Sequence, residues 1–390
     1  MRDAMQTSEL VRDNARFVNR SVYRDQEIFE LEQRAIFSRS WIYVAHESEL
    51  RKPGDFRTTT IAGQPVVAVR DKEERVRVFF NTCTHRGAVV ARTPRGNCRA
   101  FQCMYHAWTY DLSGKLIGVP RPEGYGPDFN RGDYGLREVK SVATFCGLIF
   151  ASLDPHAEAL ETFLGRTREY IREACEGRVI TGVNKTIFNG NWKIYRENFA
   201  DGYHPNYLHK LLAAIGTYAE GSSIDLGAGH GLLEWAEIAP KTDKYRAATD
   251  KTADANIWIA RLPKDKERVL TLFPNLSIPW ILDAVSIHVI TPLSPERTLL
   301  EIYLLGGERD TPEIKQWRLA QSMMWGPAGA VGVDDIEVPK ECQRGLRATE
   351  LTWVNLARGN AALDRGDLED EQAVRAFYKE WIQRLDAVGG

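Results

Sequence analysis

Two short cysteine–histidine pairs constrain the fold of this chain more than any other feature of its sequence. Cys83 and His85 stand as Cys-x-His, and Cys103 and His106 stand as Cys-x-x-His, with 17 residues between the pairs. Each pair is compact enough to hold one metal, because thiolate and neutral imidazole are ligands of both zinc and iron–sulfur clusters. Tetrahedral geometry alone does not distinguish these two kinds of site, so the flanking sequence has to decide.

The sequence around the two pairs is typical of a small all-β module. Residues 58–153 are dominated by short β-branched and aromatic runs, such as 66–69 and 76–80, with turn-forming segments between them. The opening forty residues and residues 159–174 carry helical patterns instead. We therefore predict that the β module is inserted between helical segments.

Composition argues against several classes of protein. The 390 residues are 43% hydrophobic and 27% charged with a net charge of −2, which disfavours both global disorder and binding to nucleic acid. No apolar run approaches the roughly 18–20 residues that span a bilayer, and the N-terminus lacks the apolar core of a secretory signal. We expect a cytoplasmic protein without membrane or nucleic-acid partners, whose six cysteines form no disulfides.

A second group of candidate ligands lies about a hundred residues further along the chain. Asp201, His204 and His209 form Asp-x-x-His-x-x-x-x-His, and positions five apart on a regular helix diverge by about 140°. Pro205 predicts a kink or break that lets the two imidazoles converge. Two histidines and one carboxylate leave open positions on an iron ion, as in non-haem Fe(II) oxygenases. Taken alone, however, such pairs more often make ordinary hydrogen bonds, and the carboxylate has to come from elsewhere.

The flanks of both groups resemble one known family. Residues 81–87 and 103–108 are similar to the two loops of the Rieske [2Fe–2S] domain, Cys-x-His-Arg-Gly and Cys-x-x-His followed by Trp. Residues 325–335 resemble the stretch that carries the third iron ligand in Rieske ring-hydroxylating oxygenases. The chain thus resembles the large (alpha) subunit of these enzymes over nearly its whole length. One departure from the usual loops is Ala107, which stands where glycine is often found.

The resemblance implies a role for each candidate ligand. Four residues would hold the Rieske [2Fe–2S] cluster, with a zinc knuckle as the alternative: Cys83, His85, Cys103 and His106. Three would hold one mononuclear Fe(II), with Asp334 as the near alternative to the last of them: His204, His209 and Asp335. Asp201 would be the family's bridging carboxylate, which accepts a hydrogen bond from His204 and contacts His106 of the partner subunit. Electrons would pass between subunits at this point.

The resemblance also implies the fold, which is α+β. A small all-β Rieske domain (residues 40–155) would be inserted in a helix-grip (START-like) catalytic domain with an antiparallel sheet, formed by an N-terminal helical segment (1–39) and residues 156–390. Alternation of apolar residues predicts four strands in the catalytic part: 258–262, 269–272, 285–290 and 299–305. A closing helix is predicted by an apolar stripe at helical spacing: Val374, Phe377, Tyr378, Trp381 and Leu385.

The implied activity is that of a terminal oxygenase. Electrons from NAD(P)H would arrive through a ferredoxin and/or flavin reductase, because the chain has no recognisable nicotinamide or flavin loop of its own. With O2 the enzyme would cis-dihydroxylate an aromatic substrate; the alternative is a monooxygenase that hydroxylates or dealkylates a neutral, amino or phenolic aromatic. Transfer between subunits implies a homotrimer, or a hexamer with a small beta subunit.

The compact Glu-Asn-x-Ala-Asp-Gly-Tyr-His sequence at 197–204 looks most like the benzoate, anthranilate and terephthalate branch of the family. This branch favours an aromatic carboxylate, whose pocket should contain an arginine or lysine. Four residues are candidates for the pocket wall: Asn198, Phe199, Phe273 and Trp325. His288 lies in a predicted strand and is a further residue that can face the cavity.

Two remote alternatives remain at this point. Residues 225–231 fit the Asp-x-Gly-x-Gly-x-Gly loop of methyltransferases, but no buried hydrophobic strand precedes them, so we interpret them as a flexible loop. A pure electron-transfer protein would explain the Cys/His pairs. It would have no need of His204, His209 and Asp335 together.

Overall fold

The computed structural model describes residues 9–210, 220–236, 266–281 and 284–389. The chain divides into two compact units. The first, which we call the β unit, is Phe37–Thr162. The second, which we call the mixed unit, combines the residues up to Ile36 with those from Phe163 onward. The predicted strand at 258–262 lies outside the described residues.

The described strands, in chain order, are β1 Val11–Arg12, β2 Phe17–Asn19, β3 Ile42–His46, β4 Asp55–Ile61, β5 Gln64–Arg70, β6 Val76–Phe80, β7 Arg95–Asn97, β8 Phe101–Gln102, β9 Thr109–Tyr110, β10 Leu116–Gly118, β11 Ser141–Phe145, β12 Leu148–Ser152, β13 Arg178–Phe188, β14 Gly221–Gly227, β15 His230–Ala236, β16 Lys266–Leu272, β17 Leu276–Ile281, β18 Ala284–Ser294, β19 Arg297–Gly307, β20 Trp353–Asn355 and β21 Arg365–Asp367. The described α-helices are α1 Gln26–Glu32, α2 Leu160–Leu164, α3 Thr167–Cys175, α4 Trp192–Ala200, α5 Pro205–Leu208, α6 Pro312–Trp325, α7 Gly332–Gly345 and α8 Gln372–Gly389.

The β unit consists of three small antiparallel sheets, as the short apolar runs predict. Their strand orders are β6-β5-β4-β7, β10-β9-β8 and β11-β12-β3. The run 66–69 in β5 is fully buried, and it belongs to the core that holds this unit together. One candidate loop, 81–94, connects β6 to β7, and the other, 103–108, connects β8 to β9. Both cysteines thus lie where short strands end against a packed core, and both are buried.

The mixed unit is built on an eight-stranded antiparallel sheet in the order β13-β19-β18-β17-β16-β15-β14-β21. Three of the predicted strands lie within β16, β18 and β19. The fold class predicted from the resemblance, α+β with this antiparallel sheet, is confirmed. Strand β17 was not predicted, and it contains Pro279, a residue that is unfavourable in a central strand. The structure accommodates this proline where the pairing of β17 with β18 lapses, between the pairs Ser277–His288 and Trp280–Val285.

Residues 225–231 form a β-hairpin, and their interpretation as a flexible loop was wrong. Strands β14 and β15 pair directly, and only Ala228 and Gly229 separate them. Both residues have positive φ values, 50° and 75°, which is the backbone that the tightest hairpin turns require. Ala228 and Gly229 therefore form the two-residue turn of this hairpin.

Helix α8 is amphipathic as predicted, and all five residues of its apolar stripe are buried. It packs on β14 and β15 at one end of the sheet. Helix α4 begins after Asn191, whose side chain accepts a hydrogen bond from the backbone of Lys193. This helix packs against α7 and against the sheet, and so it places the sequence that follows it beside the start of α7.

The helix breaks before Pro205, where the sequence predicted the break. Helix α4 ends at Ala200, and Gly202 follows where a Cβ atom would lie 2.2 Å from the carbonyl oxygen of Leu368. Pro205 begins the short helix α5, a position at which its missing N–H costs nothing. The two histidines are therefore brought together by a turn over 201–204. No described helix is long and apolar enough to cross a membrane.

Candidate metal centres and substrate cavity

Three ligand atoms converge beside the end of α4. His204 Nε2 lies 3.6 Å from Asp335 Oδ1, and His209 Nε2 lies 3.2 Å from the same oxygen. His209 and Asp335 are buried and His204 is partly exposed, and all three ligand atoms lie within 4.8 Å of one another. Two imidazole nitrogens and one carboxylate oxygen at this spacing fit a single iron ion with positions left open.

A second carboxylate lies behind each histidine. Asp334 Oδ2 lies 3.2 Å from His209 Nδ1, and Asp201 Oδ2 lies 3.4 Å from His204 Nδ1. Each of these carboxylates therefore orients an imidazole from its far side, as outer partners of metal-bound histidines commonly do. Of the two adjacent aspartates on α7, the structure thus places Asp335 with the Nε2 atoms and Asp334 behind one of them.

The charges of the three groups suit metal binding. Burial by itself would raise the pKa of the Asp335 carboxyl, but His204 and His209 hold it well below its usual range. Burial would lower the pKa of His204, but Asp201 and Asp335 raise it to about 9. Asn198 on α4 also donates a hydrogen bond to Asp335 Oδ1 over 2.9 Å. Asp335 is therefore an ionised, oriented carboxylate, and the site strongly favours a cation between these groups.

The two cysteine loops of the β unit have the same backbone hydrogen-bonding pattern. The N–H of Cys83 donates to the carbonyl of Ala88, and the N–H of Cys103 donates to the carbonyl of Trp108. Each cysteine carbonyl in turn accepts from the residue four positions on, which is Gly87 or Ala107. Both of these residues have positive φ, 75° and 55°. Ala107 therefore adopts the backbone that its glycine counterpart adopts without strain.

The histidines of these loops lie side by side, with ring centroids 4.6 Å apart. His106 Nδ1 is buried and has no hydrogen-bond partner among the described residues, as expected of an atom that binds metal. His85 Nε2 lies 3.4 Å from the hydroxyl of Tyr125, which leaves its Nδ1 on the opposite side of the ring. The residues present therefore fit a group bound between the two loops.

The spacing of the candidate ligands bears on the two metals that the sequence left open. In the described part of the chain, His204, His209 and Asp335 are the only His, Cys, Asp or Glu residues with three ligand atoms within 4.8 Å of one another. A tetrahedral zinc site with bonds of 2.0–2.3 Å would bring its four ligand atoms about that close. No three of the four Cys/His residues form such a group, which is consistent with two irons that take two ligands each.

A cavity adjoins the iron ligands. Three of the four residues predicted for its wall line it, namely Asn198, Phe199 and Trp325. Apolar residues of the central strands complete much of the wall: Leu233, Trp235, Val269, Pro279, Ile281, Ile302 and Leu304. None of its described lining residues is a lysine or arginine. The basic residue that we expected for a carboxylate is therefore not found in the described wall.

Phe273 does not line this cavity. It lies in the turn between β16 and β17, where its backbone N–H donates to His230 Nδ1 and its ring packs against Phe377 of α8. Two of the cavity residues of these strands, Val269 and Pro279, face each other further from this turn. The sequence could not show this, because only the strand register decides which end of the hairpin meets the cavity.

Two polar wall residues were missed or left undecided by the sequence. Ser286 and His288 both line the cavity from β18. They stand two residues apart, so their side chains lie on the same face of the strand. This Ser-x-His spacing within a predicted strand was the available signal.

Comparisons with known proteins agree with this geometry. Residues 40–143 match the family described as "Rieske [2Fe-2S] domain", and residues 160–387 match "Ring hydroxylating alpha subunit (catalytic domain)". The chain is 32% identical over 374 residues to the 2-aminobenzenesulfonate 2,3-dioxygenase alpha subunit of Alcaligenes sp., covering 94% of this chain and 92% of the relative. It is 30% identical over 382 residues to the 2-halobenzoate 1,2-dioxygenase large subunit of Burkholderia cepacia, covering 87% and 79%.

Among solved structures, the chain resembles naphthalene 1,2-dioxygenase from Rhodococcus sp. bound to indole. The TM-score is 0.83 at 25% identity, and the match covers 95% of each chain. The likeness therefore extends over both units of the fold.

Proposed function

Since this chain belongs to the family of Rieske-type ring-hydroxylating oxygenase alpha subunits, we propose that it is the terminal oxygenase that cis-dihydroxylates an aromatic acid. Such a reaction consumes one O2, two electrons and two protons for each ring. The observation that carries the proposal is the convergence of His204, His209 and Asp335 beside an apolar cavity. A protein that only transferred electrons would have no use for this pair of features.

Each metal group would be held by residues of this chain. His204, His209 and Asp335 would bind the mononuclear iron, and the two Cys/His loops would bind the [2Fe–2S] cluster. When bound, these groups supply O2 activation and single-electron transfer. Asp334 and Asp201 orient the two imidazoles, Asn198 fixes the carboxylate, and the apolar wall excludes water from the ring of the substrate.

Asp201 is the residue that we assign to the electron path. One of its oxygens accepts a hydrogen bond from the backbone of Tyr203, and the other faces His204. Its side chain is partly exposed, so it is accessible to a partner. We assign its contact to His106 of the partner subunit, in a homotrimer or in a hexamer with a small beta subunit. A ferredoxin or flavin reductase would deliver electrons that originate from NAD(P)H.

The substrate class rests on the relatives. The two curated relatives described above are named for an aminobenzenesulfonate and a halobenzoate, which are both aromatic acids. A neutral arene is the second candidate, because no described residue of the cavity wall is a lysine or arginine. Burial of an unpaired carboxylate is energetically costly, so an aromatic acid requires a polar or charged partner in the cavity wall and a neutral arene does not.

A single-turnover experiment tests the proposal. Pre-reduced, iron-loaded protein is exposed to O2 with benzoate, benzenesulfonate or toluene, and the products are analysed by mass spectrometry. We expect an acid to gain two hydroxyl groups. Gain of one oxygen would contradict dihydroxylation, and reaction of toluene alone would contradict the acid. The variant His204→Ala should lose turnover and keep the visible spectrum of the cluster; if it retains turnover, this iron site is not the site of reaction.

A further inference from the structure

Strand β18 contributes a polar pair to the otherwise apolar part of the cavity wall. Ser286 Oγ lies 3.0 Å from His288 Nε2. On the other side of the ring, His288 Nδ1 lies 3.2 Å from the hydroxyl of Tyr195. His288 and Tyr195 are almost completely buried, whereas the Ser286 side chain borders the cavity. The three side chains therefore form a chain of hydrogen bonds that ends at the cavity.

The direction of these hydrogen bonds follows from the tyrosine. Among the described residues, the Tyr195 hydroxyl has only His288 Nδ1 as a hydrogen-bond partner. A buried O–H group needs an acceptor, so Tyr195 donates to Nδ1. Burial also lowers the pKa of His288 to about 3, and the negative charge of Asp335 opposes this only in part. The imidazole is therefore neutral, and its single proton is on Nε2.

This tautomer determines what Ser286 can do. His288 Nε2–H donates to Ser286 Oγ, and Oγ has no other partner among the described residues. The hydroxyl hydrogen of Ser286 is therefore left to donate to whatever occupies the cavity. With the opposite tautomer, Ser286 would donate to the ring and offer the cavity only lone pairs.

We propose that Ser286, oriented by His288 and Tyr195, donates a hydrogen bond to an oxygen acceptor on the ring of the substrate, such as a carboxylate, sulfonate or carbonyl oxygen. The inference rests on the proposed function, because it concerns the same cavity. The iron ligands cannot take this role, and the described wall provides no lysine or arginine that would take it. The substrate class is thus an aromatic ring with an acceptor substituent.

The first experiment compares kcat/KM of the complete enzyme for benzoate, benzenesulfonate, acetophenone and toluene. In Ser286→Ala, we expect kcat/KM for each acceptor substrate to fall about tenfold relative to toluene, which is the value of one hydrogen bond. The loss should lie in KM, and Ser286→Thr should restore most of it. An unchanged ratio would overturn the proposal. If only the two anions respond, the donor recognises charged acceptors; if acetophenone responds equally, charge is not required.

The matched control is Ser277→Ala. Ser277 is buried on the adjacent strand β17, does not line the cavity, and has no hydrogen-bond partner for its hydroxyl among the described residues. It should leave the ratios unchanged. Tyr195→Phe removes the donor that fixes the tautomer without removing the serine. We therefore expect it to produce part of the same loss of preference, whereas a purely structural role would lower kcat/KM for all four substrates alike.

Calorimetric titration of benzoate and toluene into the oxidised enzyme, without an electron donor, separates this proposal from the proposed function. If the wild-type enzyme oxidises none of the compounds but Ser286→Ala still weakens benzoate binding about tenfold, the proposed reaction fails and the assignment of Ser286 stands. If no acceptor ring binds the wild-type enzyme, the assignment of Ser286 is wrong.

Discussion

Helix α4 is held in place by a fully buried ion pair, and the removal of either partner should have a distinctive effect. Lys193 Nζ lies 2.6 Å from Glu32 Oε1, and both side chains are completely buried. The indole N–H groups of Trp192 and Trp381 also donate to this carboxylate, each over 2.9 Å. The cluster thus joins α1, α4 and α8, and α4 carries Asn198 toward the iron ligands.

Lys193→Met leaves the carboxylate of Glu32 with two neutral donors and no opposite charge. The loss of one partner of a buried pair costs about 3–5 kcal/mol of stability. Burial already raises the pKa of the Glu197 carboxyl to about 7, and Lys193 opposes that effect, so in the variant this carboxyl should hold a proton in the folded protein over a wider pH range and release it on unfolding. The folded state binds more protons than the unfolded state, so the stability of this variant should fall as pH rises, by at most about 1.4 kcal/mol per pH unit.

Glu32→Gln should have the opposite pH dependence. Burial already lowers the pKa of Lys193, and Glu32 opposes that effect. Without Glu32, the folded state should bind fewer protons than the unfolded state below the ordinary pKa of lysine, so stability should rise with pH. The double variant Glu32→Gln, Lys193→Met has no lysine at this position to titrate, so this rise with pH should be absent.

The free energy of unfolding is measured by urea titration at pH 6, 7 and 8. Unfolding is detected by hydrogen–deuterium exchange of the backbone amides of α4. This readout separates the mixed unit from the β unit, whose unfolding need not coincide with it. Slopes that differ from the wild-type slope in the same direction in the two single variants, or losses below 1 kcal/mol in both, would refute the reasoning.

Two further predictions concern the metal centres. Asp334→Asn should weaken iron binding by about 10–100-fold because it loosens the orientation of His209. Asp335→Asn should instead remove most of the iron, because it changes a ligand. The metal content after dialysis measures both effects, and equal losses would contradict the assigned roles. Tyr110→Phe removes a hydroxyl that lies 3.2 Å from Cys83 Sγ, so the reduced cluster should be less stabilised. Its reduction potential should therefore fall by about 50 mV in a redox titration. An unchanged potential would show that this hydroxyl does not donate to the sulfur.

The candidate ligands could be identified from the sequence because their chemistry is local. Cysteine and histidine at two or three residues' spacing can hold a metal whatever fold surrounds them, and the structure brings His204, His209 and Asp335 together across 131 positions of sequence. Local chemistry could not decide between Asp334 and Asp335 as the iron ligand. That choice depends on the rotation of α7 against α4, which adjacent positions on a helix cannot reveal.

Strand register explains the main differences from the sequence analysis. Phe273 lies in the turn after β16 and Ser286 lies in β18, and only the pairing of β16, β17 and β18 decides which of them reaches the cavity. The hairpin at Ala228 depends on a non-glycine residue with positive φ, which propensity does not favour. Tertiary packing decided these elements, and a single sequence carries little information about it.

The order of the two units along the chain has a consequence for synthesis. The β unit is one continuous segment that ends at Thr162, whereas in the mixed unit β2 pairs with β20, so that Val18 lies opposite Val354. At about 5–20 residues per second, Asp335 is added roughly 10–35 s after Thr162. We therefore expect the β unit to fold, and to be ready to receive its cluster, while the chain is still on the ribosome. The iron site can form only after Asp335 has been added.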